Sequence, residues 1–182
     1  MKKFFLTVAV CVLAVSYSSA QSTFEKGSNV INLGVGFGGN LYSGSLYRGS
    51  GYSRLPYMSL SVEHCIIDNL FDDKSAIGVG GMVGFTSAKM KDYWTSTDIA
   101  IGARGAFHYQ FVDKLDTYAG VNIGYNINTW KWKGGSLGAS GSSGLTWSTF
   151  VGARYYFTDA IGVFAEVGWG YTVLNAGLSF KF

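Results

Sequence analysis

The segment from Leu174 to Phe182 constrains this chain more than any other stretch. Leu174, Ala176, Leu178, Phe180 and Phe182 alternate strictly with Asn175, Gly177, Ser179 and Lys181. A strand has a side-chain period of two, so the two sets face opposite ways. An exposed Phe-Lys-Phe end is an aggregation hazard in water. It is stable if the apolar set meets lipid and the polar set lines the inside of a closed sheet. The alternative on alternation alone is a terminal strand of a soluble β protein.

The other end of the sequence is consistent with export. Met1-Lys2-Lys3 is basic, Phe4 to Val15 is apolar, and Ser18-x-Ala20 is a small-x-small cleavage site. Residues 1–20 are expected to be a secretory signal peptide, too short to span a membrane as a helix, with cleavage before Gln21. Cys11 lies inside the apolar run, away from the position a lipoprotein signal requires. Residues 21–182 then form one domain. Losing Lys2 and Lys3 takes the formal charge from +3 to +1, a balance that does not favour nucleic-acid binding. Cys65 is the one cysteine left, so an internal disulfide is excluded and a packing role is expected.

Composition narrows the fold class. The chain is 48% hydrophobic but only 14% charged, with 26 Gly and one Pro. Past the signal, no apolar run approaches the ~20 residues of a membrane helix. A closed antiparallel barrel is the remaining way to satisfy every backbone group inside hydrocarbon. The expected fold is therefore all-β: an eight-stranded antiparallel transmembrane up-and-down β-barrel.

Eight alternating segments support that count: about 29–38, 57–66, 76–86, 97–111, 117–128, 145–157, 162–171 and the terminal segment. Pro56 falls just before the second, where a missing ladder donor does least harm. Most glycines take the inward parity, and small inward residues let Tyr118, Phe150, Arg154 and Tyr156 cross a narrow lumen. Gly34-x-Gly36-x-Gly38-Gly39 resembles a nucleotide loop, but it lies within a strand and precedes no helix. The connections 39–54, 87–96 and 129–144 are expected to be long loops; 67–74, 112–116 and 158–161 are shorter and contain Asp. Tyr109, Phe111, Tyr155, Phe157, Phe180 and Phe182 are expected in one interfacial aromatic band, and Phe85, Tyr125, Trp169 and Tyr171 in the other.

Inward parity collects Glu63, Asp98, Arg104, Arg154, Glu166 and Lys181. Unpaired charges there are costly, so a lumen salt-bridge network is expected, with the two arginines and two glutamates as preferred members. Of the two histidines, His108 points inward and His64 shares the lipid-facing parity of Val62. Neither is expected to be catalytic. No spacing of His and Cys suggests a metal, and no cofactor is expected.

With these residues in place, the chain resembles the small eight-stranded outer-membrane β-barrel family of the OmpA/OmpX kind. The resemblance rests on the terminal segment, on Gly152-Ala153-Arg154-Tyr155-Tyr156-Phe157 before an Asp-containing turn, and on Phe164-Ala165-Glu166-Val167-Gly168 after it. It implies a monomeric, non-catalytic barrel of the bacterial outer membrane in a structural or surface-interaction role. Asn175, Gly177, Phe180 and Phe182 match the insertion signal read by the barrel-assembly machinery. The loops combine Tyr42, Tyr47, Tyr52, Tyr93, Trp94, Trp130 and Trp132 with Arg48, Arg54, Lys89, Lys91, Lys131 and Lys133, a rim suited to outer-membrane lipid and lipopolysaccharide. The competing readings are a narrow porin-like channel, a lipid A-modifying barrel enzyme and a soluble ligand-binding calyx.

Overall fold

A computed structural model describes residues 23–39, 51–91, 93–132 and 143–182. Residues 1–20, Tyr42, Tyr47, Arg48 and Lys133 lie outside them. The described chain forms nine strands: β1 (Asn29–Phe37), β2 (Tyr52–Arg54), β3 (Tyr57–Asp68), β4 (Ser75–Met90), β5 (Trp94–Val112), β6 (Leu115–Trp132), β7 (Gly144–Tyr156), β8 (Ile161–Trp169) and β9 (Leu174–Lys181). Every neighbouring pair is antiparallel, and β1 pairs with β9 as well as β3, which closes the sheet into a ring.

The ring has eight staves because β2 and β3 are one stave interrupted. Tyr52–Arg54 pairs with Ala88–Met90, and Met58 onward pairs with Phe85 and the residues before it. The break falls at Leu55 and Pro56. Leu55 N–H still donates to the Ser87 carbonyl at 2.9 Å; Pro56 has no N–H to give.

The two faces of the ring are chemically opposite. Leu33, Met58, Val62, Ile101, Ile123, Val151, Val167 and Leu178 all point outward and are exposed. Asn32, Ser61, Glu63, Arg104, Asp116, Arg154 and Ser179 point inward and are buried. A water-soluble barrel has the reverse arrangement, so the hydrophobic effect alone requires an apolar surrounding.

Three sequence expectations change here. The expected loops are partly strand: the β4–β5 ladder continues from Ser87↔Thr97 to Met90↔Trp94, which leaves 91–93 between the strands, and 52–54 and 129–132 belong to β2 and β6. Outward residues above the apolar belt become Ser, Thr and Lys, so the hydrophobic signal ends before the strands do. Tyr171 is not in an outward aromatic band but is buried with Tyr57, Met82 and Ala100. Gly170, at φ 111°, ends the β8 alternation and turns the next side chain inward. Asp116 belongs to β6, where it pairs with Arg154 in the ladder to β7 and is buried, rather than to the short connection.

Candidate functional site

The barrel interior holds a cluster of six ionisable side chains. Arg104 donates from Nε to Glu63 Oε2 at 2.8 Å and from Nη2 to Glu166 Oε1 at 2.6 Å. Arg154 donates from Nη2 to Glu63 Oε2 at 3.0 Å and from Nη1 to Asp116 Oδ2 at 2.9 Å. The His108 ring lies between two carboxylates, with Nδ1 2.9 Å from Asp116 Oδ1 and Nε2 in contact with Glu63 Oε1. The cluster sets three carboxylates against two guanidiniums, with the imidazole placed between two of the carboxylates.

The sheet register explains how these side chains meet. Gly80 stands between Glu63 and Arg104 in the ladder, so the two reach one another over a residue with no side chain. Gly152 stands in the same way between Tyr118 and Glu166. The Tyr118 hydroxyl donates to Glu166 Oε1 at 2.9 Å across that gap. A Cβ on Gly152 would come within 2.8 Å of both Glu166 Cγ and the Tyr118 ring.

Aromatic rings hold the guanidiniums in plane. Arg104 Cζ lies 3.8 Å from the centroid of Phe150, and Arg154 Cζ lies 4.3 Å from that of Tyr118. At the end carrying the chain termini, Phe24 is buried with its ring 4.1 Å from that of His108. Thr23 N–H donates to Gln110 Oε1 at 2.7 Å and fixes this stopper. On the other side of the cluster a cavity of about 40 Å³ is bordered by Tyr57, Arg104, Asn122, Glu166 and Tyr171. That volume suits two or three waters and no larger guest.

Of the six charges assigned to the lumen network by parity, four meet: Glu63, Arg104, Arg154 and Glu166. Asp98 is not in the cluster; its Oδ1 accepts from Asn128 Nδ2 at 2.7 Å and Asn126 Nδ2 at 3.2 Å, nearer the loop end. Lys181 is not in it either; its Nζ lies 5.2 Å from the Tyr156 ring centroid at the terminal end. Inward parity gives the side, while the height along the barrel separates these two from the rest. His108 and Asp116 complete the cluster. Their signal was present as inward parity shared with Tyr118, but it required placing Asp116 in a strand. Asn175 and Gly177 point inward, Asn175 accepting from Ser59 Oγ at 3.1 Å; Phe182 points outward and is exposed, and Phe180 lies beside Ile31 and Ile161. His64 is exposed and faces Asn29 Oδ1 at 2.9 Å. Among the described residues, no group of His, Cys, Asp and Glu is arranged to hold a metal ion.

A closed eight-stave ring, polar within and apolar without, defines a transmembrane β-barrel. Among solved structures, Ail, the attachment invasion locus protein of Yersinia pestis, solved with the heparin analogue sucrose octasulfate, is similar to it. The TM-score is 0.53 at 8% identity, covering 86% of this chain and 99% of Ail. The N-terminal β-barrel domain of Pseudomonas aeruginosa OprF aligns with TM-score 0.48 at 14% identity, covering 86% of this chain and 98% of that one. No protein-family profile and no curated protein sequence matches the chain. The chain has the fold of the small eight-stranded outer-membrane β-barrels, and the likeness is one of fold alone.

Proposed function

We propose that this chain is a non-catalytic outer-membrane protein whose barrel is a sealed anchor and whose loop end makes surface contacts. The observation that carries the reading is the ion-paired cluster of Glu63, Arg104, His108, Asp116, Arg154 and Glu166, which spans the lumen. A conducting pore needs a continuous water column, and here Phe24, the ion cluster and the Tyr57–Tyr171 pair lie across it in series. A buried ion cluster of this kind resists opening, because separating any pair leaves a desolvated charge.

Charge sorting supports one orientation. The loop end carries Arg54, Lys89, Lys91 and Lys131 against Asp98. The terminal end carries Glu25, Asp68, Asp72, Asp73, Asp113 and Asp159 against Lys26, Lys74, Lys114 and Lys181. Two loop-end connections, 38–51 and 133–143, are longer than any turn at the terminal end, as in a barrel with periplasmic termini. The basic rim then faces the phosphates of lipopolysaccharide. On this reading the chain is exported, loses residues 1–20, works as a monomer without a cofactor, and is inserted by the barrel-assembly machinery through Asn175, Gly177, Phe180 and Phe182.

Single-channel recording tests the sealed barrel. Purified protein in a planar bilayer should give no steady conductance steps. Reproducible ion-sized steps would establish the porin-like alternative instead.

A further inference from the structure

The outward face of the sheet changes character row by row toward the loop end. Phe85, Ile99 and Ile127 form one register row and are exposed apolar side chains. The next outward row is Ser87, Thr97 and Thr129, all hydroxyls. The row beyond it is Ser53, Lys89, Thr95 and Lys131, running across four strands. Successive rows on one face are two residues apart, about 7 Å. Hydrocarbon contact therefore gives way to hydroxyls and then to ammonium groups within roughly 14 Å.

Two features make this more than a solvated rim. Lys89 and Lys131 are exposed, and neither forms an ion pair with another described residue. Below Lys89, on the outward face of β1, β3 and β4, is an apolar groove of about 430 Å³, lined by Leu33, Val35, Met58, Leu60, Val83 and Phe85; Lys131 stands two strands to its side, on β6. Lys89 stands four residues above Phe85 on the same face of β4, about 13 Å along the strand. Lys89 and Lys131 are two strand spacings apart, about 10 Å.

We infer that this face is a binding site for a bisphosphorylated lipid of the lipid A class, one acyl chain in the Leu33–Phe85 groove and one phosphate on each of Lys89 and Lys131. In the hydroxyl row Ser87 Oγ already donates to the Ser96 carbonyl at 3.1 Å, and Thr97 and Thr129 supply the donors to the polar atoms between chain and phosphate. Two cations at this separation select a headgroup with two spaced phosphates over one with a single phosphate. The inference rests on the orientation given above, which turns the loop end to the outer leaflet, and it names the lipid that meets the basic rim.

Native mass spectrometry of the full mature chain in detergent tests it, with bisphosphorylated lipid A, monophosphorylated lipid A, phosphatidylglycerol or phosphatidylcholine added at equal concentration. Bisphosphorylated lipid A should be retained most and phosphatidylcholine least. Each lysine should contribute roughly fivefold, so K89Q/K131Q should cut lipid A retention by more than tenfold. Val83→Trp, which fills the groove and leaves both lysines, should weaken lipid A and phosphatidylglycerol alike. Undiminished lipid A retention by K89Q/K131Q overturns the site, as does phosphatidylglycerol retained as well as lipid A. Both variants lie on the outside of the barrel, so a conductance result on the wild type bears only on the sealed lumen.

Discussion

Arg104 on β5 and Glu166 on β8 meet across the lumen, Nη2 to Oε1 at 2.6 Å, although β6 and β7 separate their strands in the sheet. The contact joins staves three apart in the ring of eight, and Arg154 to Glu63 joins β7 and β3, four apart and so on opposite sides. Each joins strands whose pairing in the ring is indirect, so both constrain the cross-section as well as neutralising charge. Removing one partner is the costly change, because the other is left desolvated. Glu166→Ala should therefore lower stability by about 3–5 kcal/mol, read from the urea-unfolding midpoint in detergent. An unchanged midpoint would mean that the pairing does not stabilise the barrel.

Glu63 accepts from two arginines and faces His108, and it is the carboxylate of the cluster that pairs with both guanidiniums. Glu63→Gln keeps the shape and removes the charge. It should destabilise at least as much as Glu166→Ala, and the cycle with Arg154→Met should show coupling of roughly 1–3 kcal/mol. Additive single and double variants would contradict a shared network.

Gly152 is a slot in the wall over which Tyr118 and Glu166 touch. Gly152→Ala should cost about 1–3 kcal/mol by overpacking. Adding Tyr118→Ala should give part of that back if the ring is the obstacle. A Gly152→Ala barrel as stable as the wild type would show that the ring and carboxylate can separate freely.

The terminal-end turns carry a pH-dependent contact. The Tyr109 hydroxyl donates to Asp72 Oδ2 at 2.9 Å and, as the leading cause, holds that carboxyl below the usual Asp range. A carboxyl depressed in the folded state stabilises above its ordinary value, and the gain fades as pH falls through the folded value. Tyr109→Phe should raise Asp72 toward the ordinary Asp range, measured by NMR titration of its side-chain carbon, and should lessen its contribution to stability at neutral pH, with the Lys74 N–H still donating to Oδ1. An Asp72 titration that does not move in the variant would contradict the assignment.

The staves were legible from the sequence because a membrane barrel writes a period-two pattern that soluble strands blur. Ile31, Leu33 and Val35 against Asn32 and Gly34 is enough to give both face and direction. The same rule lost its signal above the membrane, where Lys89 and Thr95 replace apolar outward residues and strand looks like loop. It also misread Tyr171, because one left-handed glycine resets the alternation. The charge cluster was legible by side but not by height. Parity collected Glu63, Arg104, Arg154 and Glu166 correctly on the inside, yet placed Asp98 and Lys181 with them. Height depends on strand tilt and register, which no single strand encodes. Asp116 escaped because a residue next to a short Asp-containing turn reads as part of the turn.

Nuclear Overhauser contacts between lipid and protein, recorded on methyl-labelled protein in nanodiscs, probe the two faces most directly. Acyl-chain methylenes should show cross-peaks to the methyls of Ile101, Ile123, Val151, Val167 and Leu178, and water should show none there. Water cross-peaks at those methyls, with acyl contacts to Val30 or Ala106 on the lumen side, would contradict the account.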